Sequence, residues 1–159
     1  MNKNNLETIV NNIVGDAIVK EVMSLKLAVK LIETVEEKAA EMGLAVVAAV
    51  SDASGRPIAV HCMDGAYHGS FDVALNKTYT STAFQMSTAK LSRLCQPGQD
   101  LYGLQFSNNG KVMILGGGEP LMVGKTMIGA LGVSGGSAQE DSDLAAYGAS
   151  ALKEVIKCL

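Results

Sequence analysis

Apolar residues recur at helical spacing from the start of the chain. Leu6, Ile9, Val10, Ile13, Val14, Ala17 and Ile18 form an i, i+3, i+4 series, with Glu7, Thr8, Asn11, Asn12 and Asp16 on the other face. Asn4 or Asn5 is placed to cap it. The pattern predicts an amphipathic leader helix over residues 1–20, of about four turns, and a single short helix is marginal in water until its stripe is covered. The stripe therefore needs a partner, either its own domain, a second copy or another protein. A second periodic run, Ser24 to Met42, sets Leu25, Ala28, Val29, Ile32, Val35 and Ala39 on one side and Lys26, Lys30, Glu33, Glu36 and Glu37 on the other. Gly43 is its expected stop.

The periodicity then changes. Leu44 to Val50 is an unbroken apolar run suited to a central strand, and Asp52-Ala-Ser-Gly55 is turn chemistry before a second strand, Pro57 to Cys62. Phe71, Ala74, Leu75, Thr78 and Phe84 predict a helix from Ser70 to Phe84, followed by an irregular stretch through Gln96-Pro97-Gly98 to Asn109-Gly110. Val112 to Leu115, Glu119 to Val123 and Thr126 to Val133 read as three more strands, which Gly135-Gly136 ends. Asp141 or Ser142 is expected to open a last helix to about Lys157, with Leu144, Ala145, Ala149, Leu152 and Ile156 inward. Hairpin-length links between strands predict an antiparallel sheet with helices packed on it, the α+β class, because parallel strands would need crossovers.

Composition narrows the function more than the fold. A chain of 159 residues suits one domain, here 21–159 after the leader. Its 13 basic residues are scattered and the net charge is −3, which argues against nucleic acid or an anionic membrane as partner. Apolar runs fall far short of the ~20 residues of a membrane span, and no secretory signal pattern opens the chain, so it reads as cytoplasmic. Cys62, Cys95 and Cys158 are widely spaced, contain no C-x-x-C pair and read as free thiols.

The segment "GGGEPLMVGKT" resembles a phosphate-binding loop, but Glu119 stands where the first glycine of that motif belongs and Pro120 has no N–H to offer. A β-hairpin turning at Gly124-Lys125 accounts for it instead.

Three stretches, "AVVAAVSDASGRPIAVHCMDGAYHGSFDVALNKTYTSTAF", "QPGQDLYGL" and "ILGGGEPLMVGKTMIGALGVSGGSAQEDSDLA", are similar to the GlcG/HbpS family, which includes the C-terminal domain of the propanediol-utilisation protein PduO. The resemblance implies a profilin-like five-stranded antiparallel sheet flanked by helices, assembled as dimers or larger homo-oligomers. Glu119 departs from the small or apolar residue usual before that proline in the family. "LETIVNNIV" resembles the encapsulation peptides that carry proteins into bacterial microcompartments, which implies shell or core proteins as partners of Leu6, Ile9, Val10, Ile13 and Val14.

Several family members bind haem through a histidine of the N-terminal helix, and this chain has no histidine before His61. His61, Cys62, Met63, Tyr67 and His68 are the iron-ligand types that remain, and strand alternation sends His61 and Cys62 to opposite faces. His68, in a loop before a helix, is the better axial candidate. Asp64, Lys77 and Thr88 are placed around the same cavity, with Lys77 facing a propionate or a neighbouring subunit's carboxylate. The expected function is thus a microcompartment-associated accessory protein binding a planar cofactor, haem or a corrinoid. The alternatives are a small-molecule enzyme of diol or glycolate metabolism using His68, Asp64 and Lys77, and a non-catalytic assembly module. Asp64 with Gly65 also reads simply as a turn, Asp141 as a helix cap, and the N–H groups of Gly135 and Gly136 as a carboxylate site.

Overall fold

The computed structural model of the chain describes residues 22–159, so the leader stripe of Leu6, Ile9, Val10, Ile13 and Val14 lies outside the described residues. Helix α1 spans Leu25–Glu41, and the Ser24 hydroxyl at its N-cap accepts from the Leu27 amide. Its buried side is Leu27, Ala28, Leu31, Ile32, Val35 and Ala39. The helix is thus rotated from the expected stripe: Leu27 and Leu31 point inward, while Leu25 is 62% exposed. Gly43, at φ +70°, lets the chain turn out of the helix as expected.

Strands β1 (Val47–Asp52) and β2 (Pro57–Cys62) form the first hairpin. Asp52 organises its turn, with Oδ1 accepting from the Ser54 and Arg56 amides and the Ser54 hydroxyl. Partial burial pushes the Asp52 carboxyl up, but these hydrogen bonds outweigh it and hold the group below its ordinary value. Strands β3 (Gly118–Val123) and β4 (Thr126–Ser134) form the second hairpin, turning at Gly124-Lys125 as the sequence predicts. The sheet order is β2-β1-β4-β3 with every pair antiparallel.

Among the described residues the sheet has four strands, which corrects the expected five. Val112 to Leu115 pairs with no strand. Val112 and Ile114 instead pack into a small satellite core with Leu91 and Cys95, and the Met113 amide donates to the Thr80 hydroxyl. Apolar content alone does not separate a strand from a loop pinned under a helix. The stretch before it is also more ordered than its turn-rich composition predicts. Helix α3 (Thr88–Leu94), capped by Ser87, and two single-turn 3₁₀ segments at Leu104–Phe106 and Asn108–Gly110 occupy it.

Two layers of helix enclose the sheet. On one face α1 and α4 (Ala138–Lys157) cover Val46, Ala48, Val50, Leu121, Leu131 and Val133, which form the main core. On the other, helix α2 (Ser70–Phe84) lies over Val47 and Ala49 through Ala74. Strand β1 is buried on both sides, and its continuous apolar run reflects that. α4 begins three residues earlier than expected, because Ser137 and Glu140 form a reciprocal capping box.

The inner face of α2 is polar and small: Ser70, Ala74, Lys77, Thr78, Thr80, Ser81 and Thr82 are buried. The threonine hydroxyls donate back to carbonyls of their own helix, Thr78 to Leu75 and Thr80 to Asn76. A helix with so little inward bulk comes close to the sheet. A Cβ on Gly132 would overlap the Ala74 carbonyl oxygen, so that glycine is the contact that sets the separation.

Candidate functional site

The loop from β2 to α2 carries most of the residues singled out in the sequence. Asp64-Gly65 is a turn, with Gly65 at φ +88° and the Ala66 amide donating to the Met63 carbonyl. Met63 packs against the main core and anchors the loop. The following residues enter the first turn of α2, where the Phe71 amide donates to the His68 carbonyl. Three rings are thereby presented within five residues of one another: Tyr67 is 74% exposed, Phe71 is 43% exposed, and His68 between them is exposed. The His68 ring makes no hydrogen bond among the described residues, and Asp64 is exposed on the same loop.

His61 is elsewhere. On β2 it sits opposite Ala48 and therefore on the α1 side of the sheet, where Nδ1 lies 3.2 Å from Glu36 Oε1 of α1. Cys62 is exposed, one position further along the strand, so the alternation expected from the sequence holds. His61 is thus committed to a carboxylate on the sheet face, and the loop holds His68 without it.

Lys77 and Thr88 are interior residues. The Lys77 side chain is 1% exposed, and its Nζ donates to Asp141 Oδ2 and to the Val133 carbonyl, each at 2.7 Å. The expectation that Lys77 faces a propionate or a neighbouring subunit's carboxylate is corrected: its partner is the last helix of its own chain. Burial lowers the Lys77 pKa, and the hydrogen bond and charge of Asp141 oppose that shift. Asp141 is no helix cap either. Its Oδ1 accepts from the Gly135 and Gly136 amides, at 3.1 and 2.9 Å, so the carboxylate that those N–H groups were expected to bind is supplied by the protein itself.

The glycine triplet of "GGGEPLMVGKT" closes around this pair. A Cβ on Gly117, whose φ is +111°, would lie 2.6 Å from the Val133 carbonyl oxygen and 2.8 Å from both Asp141 Cβ and Lys77 Nζ. The Gly118 amide donates to the Thr88 hydroxyl at 2.8 Å, and a Cβ there would press on Thr88, Ser81 and the Lys77 carbonyl. Lys77 and Thr88 are therefore brought together, but around a sealed interior network that ties α2, α3, α4 and the β3–β4 hairpin. Sequence reasoning did not pair Lys77 with Asp141, although a signal existed. Positions 70, 74, 78 and 81 form one helical arc of small or hydroxyl residues, and Lys77 lies inside it.

Glu119 is half-buried on edge strand β3, and burial raises its pKa above the ordinary 4.5. It has no ion-pair partner among the described residues.

No group of three or more His, Cys, Asp or Glu side chains among the described residues is arranged to hold a metal ion. His68 lies between Tyr67 and Phe71 in the sequence, and all three side chains are exposed where the loop enters α2. Two surface grooves occur away from it, one of about 380 Å³ lined by Met122, Val123, Leu152 and Ile156, the other of about 370 Å³ lined by Leu25, Val29 and Leu159. For a flat aromatic group, the residues at the β2–α2 loop fit as one wall of a site, with stacking surface and an imidazole. No helix among the described residues is long and apolar enough to cross a membrane.

Comparison with known proteins identifies the family. The chain is 40% identical over 123 residues to a 15.0 kDa protein of the dhaT-dhaS intergenic region of Citrobacter freundii, a match covering 77% of this chain and 87% of that one. It is 38% identical over 109 residues to the corrinoid adenosyltransferase PduO of Salmonella typhimurium, covering 69% of this chain but only 32% of PduO, so it corresponds to about a third of that protein. The crystal structure of the PduOC:haem complex superposes with a TM-score of 0.78 at 35% identity, over 82% of this chain and 94% of that one. The family described as haem-degrading protein HbpS-like matches residues 23–150, and this chain belongs to it.

Proposed function

We propose that the chain is an accessory protein that binds a planar tetrapyrrole, haem in the first instance, against the Tyr67–His68–Phe71 face at the start of α2. The observation that carries this reading is that His68 is exposed with a free ring between two exposed aromatic side chains, in a chain similar to one solved as a haem complex. His68 supplies the axial nitrogen, and Tyr67 and Phe71 supply stacking planes. Haem bound there brings its own redox and oxygen chemistry. Because the face is open in one subunit, a second copy closes over it, and the homo-oligomer completes the site. The enzyme alternative loses its cation, since the Lys77 ammonium is spent on Asp141.

Titrating haem into purified protein is expected to give a saturable Soret shift accompanied by a rise in sedimentation coefficient. His68→Ala weakens binding by roughly tenfold or more, about 1.4 kcal/mol, while His61→Ala leaves it unchanged. No shift, or a shift indifferent to His68→Ala, overturns the assignment. A spectrum perturbed by a cobalamin and not by haem replaces haem with a corrinoid as ligand.

We further infer that residues 1–20 address the protein to a bacterial microcompartment through Leu6, Ile9, Val10, Ile13 and Val14. Support comes from the helical apolar series and its resemblance to encapsulation peptides. A fluorescent reporter carrying residues 1–20 is expected to form puncta coincident with shells in a compartment-forming cell. Diffuse fluorescence beside intact shells would reject the address.

A further inference from the structure

Exposed aromatic rings are concentrated at two places among the described residues. Tyr67 and Phe71 lie at the loop before α2, while Tyr102 and Phe106, 62% and 80% exposed, lie on the lobe formed by α3 and the two 3₁₀ segments. That lobe has its own anchor. Leu101 and Leu104 pack on Leu91, Cys95 and Val112, and the Phe106 and Ser107 amides donate to the Gly103 and Leu104 carbonyls. Phe106 is thus a ring held outward on ordered backbone, and exposed aromatic side chains of this kind are typical anchors of protein interfaces.

The two patches carry opposite charge. Residues 57–76 contain Asp64 and Asp72 and no lysine or arginine, whereas residues 88–111 contain Lys90, Arg93 and Lys111 against the single acid Asp100. Asp64, Asp72, Lys90, Arg93 and Lys111 are all exposed, and none has an ion-pair partner among the described residues. The patches also stand apart within one subunit. Lys111 Nζ lies over the Tyr79 ring and Asn108 donates to the Tyr79 hydroxyl, which fastens the lobe to the second half of α2, while the loop is at the start of that helix. At 15 residues α2 is ~22 Å long, so a subunit's own lobe does not cover its own loop.

Charge selects the way two copies meet. Joined loop to loop, they would set Asp64 and Asp72 against their own equivalents, and joined lobe to lobe they would oppose the basic residues, both unfavourable. Loop against lobe pairs opposite charges and brings aromatic rings to aromatic rings. The haem reading makes the same demand. A haem on the Tyr67–His68–Phe71 face brings two carboxylates to an acidic surface, and the Lys77 ammonium is already bound to Asp141.

We propose that the loop before α2 receives the α3 lobe of a second copy, so that the partner subunit's Lys90 and Arg93 supply the cations that this loop lacks. The contact joins unlike surfaces, and repeated around a closed ring it gives every subunit one filled loop and one filled lobe. The role of the cations rests on the haem reading, but the contact itself does not.

Complementary variants of the full chain test it. Tyr67→Ser with Phe71→Ser disables the loop and spares the lobe; Tyr102→Ser with Phe106→Ser does the reverse. All four positions are exposed, and circular dichroism checks that both variants fold. In sedimentation velocity each variant alone is expected to associate roughly tenfold or more weakly than the unaltered chain. An equimolar mixture should form a dimer that grows no further, because one intact loop and one intact lobe remain between the two chains. Lys90→Glu with Arg93→Glu, remote from His68 of the same subunit, should weaken haem binding by roughly tenfold. A lobe variant that assembles like the unaltered chain, a mixture that stays monomeric, or an unaltered chain that is monomeric throughout overturns the contact. Unchanged haem affinity in the Lys90 and Arg93 variant overturns the supply of cations. Rescued assembly in the mixture with no Soret shift in any sample upholds the contact and retires the haem reading alone.

Discussion

Lys77→Met is expected to lower the stability of the domain by about 3 kcal/mol, toward the lower end of the roughly 3–5 kcal/mol typical when one partner of a buried ion pair is removed. Methionine keeps most of the lysine's length and removes the charge, so the loss reports the orphaned Asp141 carboxylate more than a cavity. Asp141 is itself almost fully buried and was paired at 2.7 Å. The Gly135 and Gly136 amides still donate to its Oδ1, which is why the lower end applies. For a domain of this size the loss corresponds to a fall in Tm on the order of 10 °C. Urea denaturation followed by circular dichroism measures it. The double variant Lys77→Met with Asp141→Asn should recover at least half of the loss, because the asparagine oxygen still accepts the glycine amides while the uncompensated charge disappears. A single-variant loss under about 1 kcal/mol, the range of exposed pairs, would mean that the pair is in contact with water. Strict additivity in the double variant would mean that the two charges do not interact.

Gly117→Ala should cost about as much, roughly 3–4 kcal/mol, from two separable causes. Placing a side chain at positive φ costs ~1–2 kcal/mol, and overpacking a closed interior costs a further ~1–3 kcal/mol. The added methyl meets the Val133 carbonyl, Asp141 Cβ and the Lys77 ammonium, all held by the hydrogen bonds of the ion-pair network, so none can retreat freely. Gly124 provides the control. It also has positive φ, +61°, at the tip of the β3–β4 turn, and nothing lies within 4 Å of a Cβ there. Gly124→Ala should therefore show only the conformational part, about 1–2 kcal/mol. Equal losses at the two positions would show that the triplet glycine is needed for its backbone angle alone and that the network leaves room for a methyl group.

These variants bear on function through separation of roles. The interior network shapes the frame that holds α2 against the sheet, whereas the groups we propose to face the ligand lie on the loop before α2. On the proposed reading, a variant at Lys77 or Gly117 is expected to lower haem binding only by lowering the folded fraction, whereas His68→Ala is expected to lower binding in a protein of unchanged stability.

How much of this was legible depends on whether the signal is local. Hairpin turns at Asp52 to Gly55 and at Gly124-Lys125, the extents of α1 and α2, and the opposite facing of His61 and Cys62 all follow from neighbours within a few residues. The capping box at Ser137 and Glu140 was equally local and was available to be read. Val112 to Leu115 was misassigned because the same apolar letters serve a strand or a loop buried under α2 and α3, and only the partners differ. Leu25 was placed inward, and the buried Leu27 was assigned to neither face, for a related reason, since a helix with apolar residues over a wide arc does not say which part of the arc faces the core.

By itself the sequence determined the α+β class, the hairpins, the family and the chemistry available at Asp64 to His68, because periodicity, turn residues and motif are properties of contiguous chain. The tertiary structure decided which of those residues can meet a ligand. It joined Lys77 to Asp141 across 64 residues, folded the glycine triplet over them, tied His61 to Glu36, and left His68 with its two aromatic neighbours at the surface. Pairings of that kind follow from how α2, α4 and the sheet pack on one another. A lysine reads the same in sequence whether its ammonium ends in water or against a buried carboxylate.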